Sequence, residues 1–258
     1  MRLQGKIGVV TGGGRGIGEA IALALAAEGC SVAVAGRTQA QLEKVSAQIQ
    51  KLGRESLPVV CDICDPGSVA ALFRAVHDRW GRLDILVNAA GESHSDLLAR
   101  LSFETWQRML AVNLTGTFLC SQEALRLMLP RKSGRIINIG STAAKIGFRY
   151  AGAYAAAKHG VLGLTRSMAL ETATSGITVN AVCPGWVDTE MVGKAVQTIS
   201  SKTKMTAEQA RDMLAADSPQ KRIFAPEEIA FATVWLACDE SRGITGQAID
   251  VSGGQVMS

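Results

Sequence analysis

The chain has 258 residues, 47% of them hydrophobic and 19% charged, with a formal net charge of +4. This can bury a sizeable core in one α/β domain, and neither disorder nor nucleic-acid binding is indicated, because Lys and Arg are scattered without a basic run. No stretch nears the roughly 18 consecutive apolar residues of a membrane span, the N-terminal MRLQGKIGVVTGGG lacks a secretory core, and six irregularly spaced cysteines fit a reducing compartment, so a cytoplasmic protein is expected.

Apolar, strand-like runs fall at 6–11, 31–36, 56–61, 83–88, 135–141, 177–183 and 248–251. Most are continuous rather than alternating, as expected of strands covered on both faces. Helical spacing separates them: Ile17, Ile21 and Leu25, then Leu42, Val45, Ile49 and Leu52, then Val69, Leu72, Phe73 and Val76. Asp65-Pro66 reads as an N-cap with proline at the first helical position, and Ala225-Pro226-Glu227-Glu228 opens another helix. The β-α alternation predicts a single domain, a parallel sheet with helices on both faces. Residues 188–222 break the rhythm: 197–205 is polar, and Thr206-Ala207-Glu208-Gln209 has the form of a capping box. An insertion of this length is expected to be a lid, with a solvated surface excursion as the alternative.

Thr11-Gly12-Gly13-Gly14-Arg15-Gly16-Ile17-Gly18 lies between the first strand and the first helix. There glycines let a pyrophosphate reach backbone N–H groups, and the helix adds its N-terminal dipole. The second strand ends in Gly36-Arg37-Thr38, where a carboxylate would otherwise bind a ribose 2′-hydroxyl. Arg37, with Arg15 closing from the glycine turn, suits a 2′-phosphate, so NADP(H) is favoured and NAD(H) is the alternative.

Tyr154 and Lys158 share a helix face by their four-residue spacing. A nearby ammonium favours a phenolate, so the pair is expected to bring the Tyr154 pKa down toward neutrality for proton transfer. Ser141 ends the fifth strand, Asn88-Ala89-Ala90-Gly91 ends the fourth at the same edge, and Asn113 follows in a helical segment.

With the glycine turn, Asp62 and Pro184-Gly185 with Thr189, these motifs make the chain resemble the short-chain dehydrogenases/reductases from Lys6 to Gly254. The resemblance implies a Rossmann-like, doubly wound parallel sheet of seven strands. It makes Tyr154 the general acid/base, Ser141 a hydrogen-bond donor to the substrate oxygen and Lys158 the holder of the nicotinamide ribose, with Asn113 supporting a proton relay through water. Gly12, Gly14, Arg15, Gly16, Ile17, Gly18, Arg37 and Thr38 would hold the phosphates, and Asp62 and Ile63 the adenine. Asn88, Ala89 and Gly91 would line the cofactor, while Pro184, Gly185, Val187 and Thr189 border the nicotinamide. The implied substrate is a small carbonyl or alcohol, with 3-oxoacyl thioesters favoured, and the implied assembly is a homotetramer. A 3-hydroxybutyrate-type or other secondary-alcohol dehydrogenase and a non-catalytic nucleotide sensor are the alternatives. An intact Asn113, Ser141, Tyr154 and Lys158 set argues against the sensor.

Cys61 and Cys64 lack a second pair at metal-site spacing, and His77, His94 and His159 suggest no metal or triad, so no metal is expected. Ser141 lacks a nucleophile-elbow context, which leaves a serine hydrolase unsupported. His94 is a candidate for the substrate rim, and Trp186 and Met191 for either pocket lining or ordinary packing.

Overall fold

A computed structural model describes residues 1–257. Seven strands, β1 (Ile7–Thr11), β2 (Ser31–Gly36), β3 (Ser56–Val60), β4 (Ile85–Asn88), β5 (Gly134–Ile139), β6 (Ile177–Pro184) and β7 (Ala248–Val251), form one sheet in the order β3-β2-β1-β4-β5-β6-β7. Every neighbouring pair is parallel. The chain runs outward from β1 to β3, then returns to β4 on the other side of β1. That reversal opens a crevice beyond the carboxyl ends of β1 and β4, where doubly wound sheets take ligands.

The helices are α1 (Gly16–Ala27), α2 (Gln39–Lys51), α3 (Pro66–Trp80), α4 (Phe103–Leu110), α5 (Gly116–Met128), α6 (Gly152–Glu171), α7 (Glu190–Lys202), α8 (Ala207–Ala216) and α9 (Pro226–Ala237). Two hydrophobic layers sandwich the sheet. One joins Ile21, Leu25, Val45, Ile49 and Ile229 of α1, α2 and α9 to Val10, Val32 and Val34. The other joins Leu72, Phe73, Ala124, Met128 and Met168 of α3, α5 and α6 to Val9, Ala33 and Ala35. Successive strand residues serve opposite layers, which is why the central strands read as unbroken apolar runs.

Helix punctuation follows the sequence. The Asp65 carboxylate accepts the N–H groups of Gly67 and Ser68 with Pro66 at the first position, and α3 stops at Gly81, whose φ is 70°. Thr206 and Gln209 form the reciprocal capping box of α8, and the Glu228 carboxylate accepts the Ala225 N–H at the start of α9.

Strand ends shift by a residue or two from expectation, and three differences bear on the site and its rim. β5 ends at Ile139, so Ser141 lies beyond it in a 3₁₀ turn (Thr142–Ala144) that it caps. Cys61 is buried just past the end of β3. The polar stretch from 197 continues α7 to Lys202: α7 buries only Val192 and packs on α8, so its outer face needs no apolar stripe.

Candidate active site

The glycine turn is built by close approaches. Gly12 has φ +65°, and a Cβ there would stand 2.8 Å from the Ala90 Cα; a Cβ on Gly18 would stand 2.2 Å from the Gly12 carbonyl oxygen. The Thr11 hydroxyl accepts the Ala89 and Ala90 N–H groups at 3.1 and 3.2 Å, binding the end of β4 to this turn. α1 begins at Gly16, and Arg15 at its cap position makes no side-chain capping bond. A close-packed turn feeding a helix start that no side chain caps fits a dinucleotide pyrophosphate.

Arg37 and Thr38 are exposed where β2 ends, and Arg37 has no ion pair among the described residues. Arg15, expected to reach the same place, is paired with Glu190 at the start of α7. The Asp62 carboxylate accepts the Cys64 N–H at 2.9 Å, shaping the loop after β3, and Ile63 packs on Gly116.

Asn88 turns its side chain inward. Its Nδ2 donates to Ser121 Oγ at 3.0 Å and to Asn138 Oδ1 at 2.9 Å, and Asn138 Nδ2 donates to Thr165 Oγ1 at 2.9 Å. This position therefore offers the crevice its backbone, and Asn138, Ser121 and Thr165 form a buried network unforeseen from the sequence.

α4 passes into α5 through a π-helical turn (Ala111–Thr115), whose widened backbone carries Asn113 fully buried. Asn113 Nδ2 donates to the Glu92 and Met109 carbonyls at 2.9 and 3.0 Å, and its Oδ1 accepts the Glu92 N–H at 3.2 Å. Gly91 sits where Asn113 and Lys158 approach: a Cβ on it would lie 2.9 Å from Asn113 Oδ1 and 3.8 Å from Lys158 Nζ. Glu92, itself paired with Arg108, was another residue the sequence did not single out.

α6 presents Tyr154 and Lys158 to this edge. Lys158 Nζ donates to the Ile139 carbonyl at 2.7 Å and lies 5.8 Å from the Tyr154 ring centre. Burial pushes the Lys158 ammonium down to about 8. Burial likewise pushes the Tyr154 phenol up, with a hydrogen bond from Ser141 acting the other way. The expected lowering of Tyr154 by Lys158 is thus corrected: desolvation raises the phenol, and the Lys158 ammonium is turned to the Ile139 carbonyl. The Ser141 Oγ accepts the Ala143 N–H at 3.1 Å, so its own proton remains for another partner. Cys183 lies beneath, its thiol pushed up to about 11 by burial.

On the other rim, Trp186 donates from Nε1 to Asp217 at 2.8 Å and meets Phe148 edge-to-face at 6.2 Å. Val187 bridges to Phe224, the Thr189 hydroxyl donates to the Val187 carbonyl at 3.2 Å, and Asp188 pairs with Arg211 at 2.8 Å. Pro184 ends β6 and Gly185 packs against Phe224 and Ser252. His94 is exposed, and His159 is engaged with the Ala155 carbonyl at 2.9 Å. Among the described residues no cluster of three His, Cys, Asp or Glu is placed to hold a metal, and no helix is long and apolar enough to cross a membrane.

A family model described as Enoyl-(Acyl carrier protein) reductase matches residues 12–255. The chain belongs to the short-chain dehydrogenase/reductase family. It is an oxidoreductase of that family. It is 40% identical to a 3-oxoacyl-(acyl-carrier-protein) reductase of Synechocystis, over 99% of this chain and 98% of the relative. It is 38% identical to a relative described as "Granaticin polyketide synthase putative ketoacyl reductase 1" of Streptomyces violaceoruber, over 96% of this chain and 92% of the relative. A short-chain dehydrogenase/reductase of known structure, a variant actinorhodin polyketide ketoreductase with NADPH, superposes with a TM-score of 0.94 at 38% identity, covering 97% of each chain.

Proposed function

We propose that this protein is an NADP(H)-dependent ketone reductase whose substrates are 3-oxoacyl thioesters or similar ketones. The observation that carries the reading is the meeting of Ser141, Tyr154 and Lys158 at the sheet edge, beside a glycine turn that admits a pyrophosphate. The glycine turn would hold the pyrophosphate, Arg37 and Thr38 the 2′-phosphate, and Lys158 the nicotinamide ribose. When bound, the reduced nicotinamide supplies the hydride to the carbonyl carbon.

The chain's own residues manage the oxygen. As electrons move onto it, the Ser141 hydroxyl donates a hydrogen bond and the Tyr154 hydroxyl gives up its proton, yielding the alcohol. The phenol is protonated at neutral pH, the form needed for that step, and burial raises its pKa further. Lys158 stabilises the phenolate left behind, and Asn113 supports its reprotonation through water. Residues 188–222, pinned through Asp188–Arg211 and Trp186–Asp217, serve as the lid on the substrate side.

The test is a panel of 3-oxoacyl thioesters, cyclic ketones and secondary alcohols, each with both cofactors, on the wild type and on Tyr154→Phe. NADPH-driven ketone reduction falling about 10²- to 10⁴-fold in the variant, with cofactor affinity retained, is expected. Undiminished turnover in Tyr154→Phe would refute the mechanism, and preference for NADH the cofactor assignment.

A further inference from the structure

Ser141 is held on a turn whose far end is tied by a buried ion pair. The Ser141 carbonyl accepts the Ala144 N–H at 2.9 Å, and the Thr142 carbonyl accepts the Lys145 N–H at 3.0 Å, closing the 3₁₀ turn. From there the Lys145 ammonium crosses to β7, donating to the Ala248 carbonyl at 2.9 Å and to Asp250 Oδ2 at 2.6 Å. The two side chains are only 10% and 15% exposed. At the near end the Gly140 N–H donates to the Val182 carbonyl at 2.7 Å, and a Cβ on Gly140 would stand 2.9 Å from Cys183 Sγ. Cys183 in turn pairs in register with Asp250. The turn bearing Ser141 is therefore clamped to β6 before the serine and to β7 after it.

A buried ion pair is a poor device for stability, because desolvating two charges offsets most of their attraction. It is a strict device for position: Asp250 Oδ1 has no hydrogen-bond partner among the described residues, so Lys145 cannot leave without stranding a buried carboxylate. The geometry points to Lys145 and Asp250 as positioning residues that set the Ser141 hydroxyl over the substrate oxygen. The inference rests on the reading of Ser141 as donor to that oxygen.

The experiment is a double-mutant cycle of Lys145→Met with Ser141→Ala, using the ketone the panel turns over fastest and measuring kcat, KM, NADPH affinity by fluorescence, and Tm. Lys145→Met alone should lower kcat about 10- to 100-fold, the cost of a misplaced catalytic group, with NADPH affinity unchanged. In the Ser141→Ala background the same substitution should cost no more than about twofold, because the group it positions is gone. An equal loss in both backgrounds overturns the inference, as does a loss of cofactor affinity that parallels kcat. Ser141→Ala with full turnover would instead sink the reading of Ser141 itself. Should Lys145→Met not fold, Asp250→Asn keeps the shape and removes the charge: the same non-additive loss of kcat is expected, and full kcat there overturns the inference.

Discussion

The Lys158 ammonium gives its short hydrogen bond, 2.7 Å, to the Ile139 carbonyl, and stands 5.8 Å from the Tyr154 ring centre. Lys158 is thereby anchored to the end of β5 while its ammonium still faces the Tyr154 ring. Burial sets the acid–base behaviour that follows: Lys158 is pushed down to about 8, while Tyr154 is pushed up from its ordinary value. As pH rises, Lys158 loses its charge before Tyr154 loses its proton. Reductive kcat/KM should therefore fall as pH passes about 8. Lys158→Met should abolish that limb and lower kcat/KM at neutral pH by about 10²-fold or more. A pH–rate profile of both proteins checks this, and a limb near 8 persisting in Lys158→Met would assign it to another group.

Cofactor preference should reside in Arg37. It is exposed at the end of β2 with no ion pair among the described residues, ready to meet a 2′-phosphate. Arg37→Asp should weaken NADPH about 10- to 100-fold, the loss of one to two charge-assisted bonds, and leave NADH nearly unaffected. Arg15 is different, because Glu190 already occupies it across the crevice. Both partners are about half exposed, at 52% and 59%, so that pair is worth at most about 1 kcal/mol. Glu190→Gln should accordingly tighten NADPH by no more than about fivefold, and isothermal titration of both variants decides the matter.

The sheet was legible because its central strands are buried on both faces and so read as unbroken apolar runs. The starts of α3 and α8 were legible because Asp65, Thr206 and Gln209 cap through their own side chains. Tyr154 and Lys158 share a face by spacing alone, but their pKa directions depend on desolvation, which only the packed site creates. Asn88, Asn138, Ser121 and Thr165 meet across β4, β5, α5 and α6, a convergence no local pattern encodes. The tie from Lys145 to Asp250 spans 105 positions and was equally silent. The polar surface of α7 hid a helix whose periodicity has little to bury.

Gly18→Ala tests the cradle. The added Cβ would stand 2.2 Å from the Gly12 carbonyl oxygen, a backbone atom that cannot rotate aside. The first turn of α1 must shift away from the glycine turn, costing about 1–3 kcal/mol of stability. The shift would also displace the backbone N–H groups that, on the proposed reading, meet the pyrophosphate. A lowered Tm together with NADPH affinity weakened at least about tenfold is expected. Unchanged affinity at lowered Tm would show that this turn does not hold the pyrophosphate.

The network beneath the site should be stability-bearing rather than catalytic. Asn138 accepts from Asn88 Nδ2 at 2.9 Å and donates to Thr165 Oγ1 at 2.9 Å, and Asn138 itself is fully buried. Asn88 Oδ1 already lacks a partner among the described residues, so the network is one donor short before any further loss. In Asn138→Leu the Asn88 amide retains Ser121 but loses its second acceptor, and Thr165 retains only its own donation to the Val161 carbonyl at 2.7 Å. Leaving buried polar groups short costs about 1–3 kcal/mol. The urea midpoint should fall accordingly with the m-value unchanged. KM for ketone and NADPH affinity should stay near wild type, since Asn138 faces the core and not the crevice. A large loss of kcat at full stability would instead place Asn138 in the orientation of α6, and with it of Tyr154.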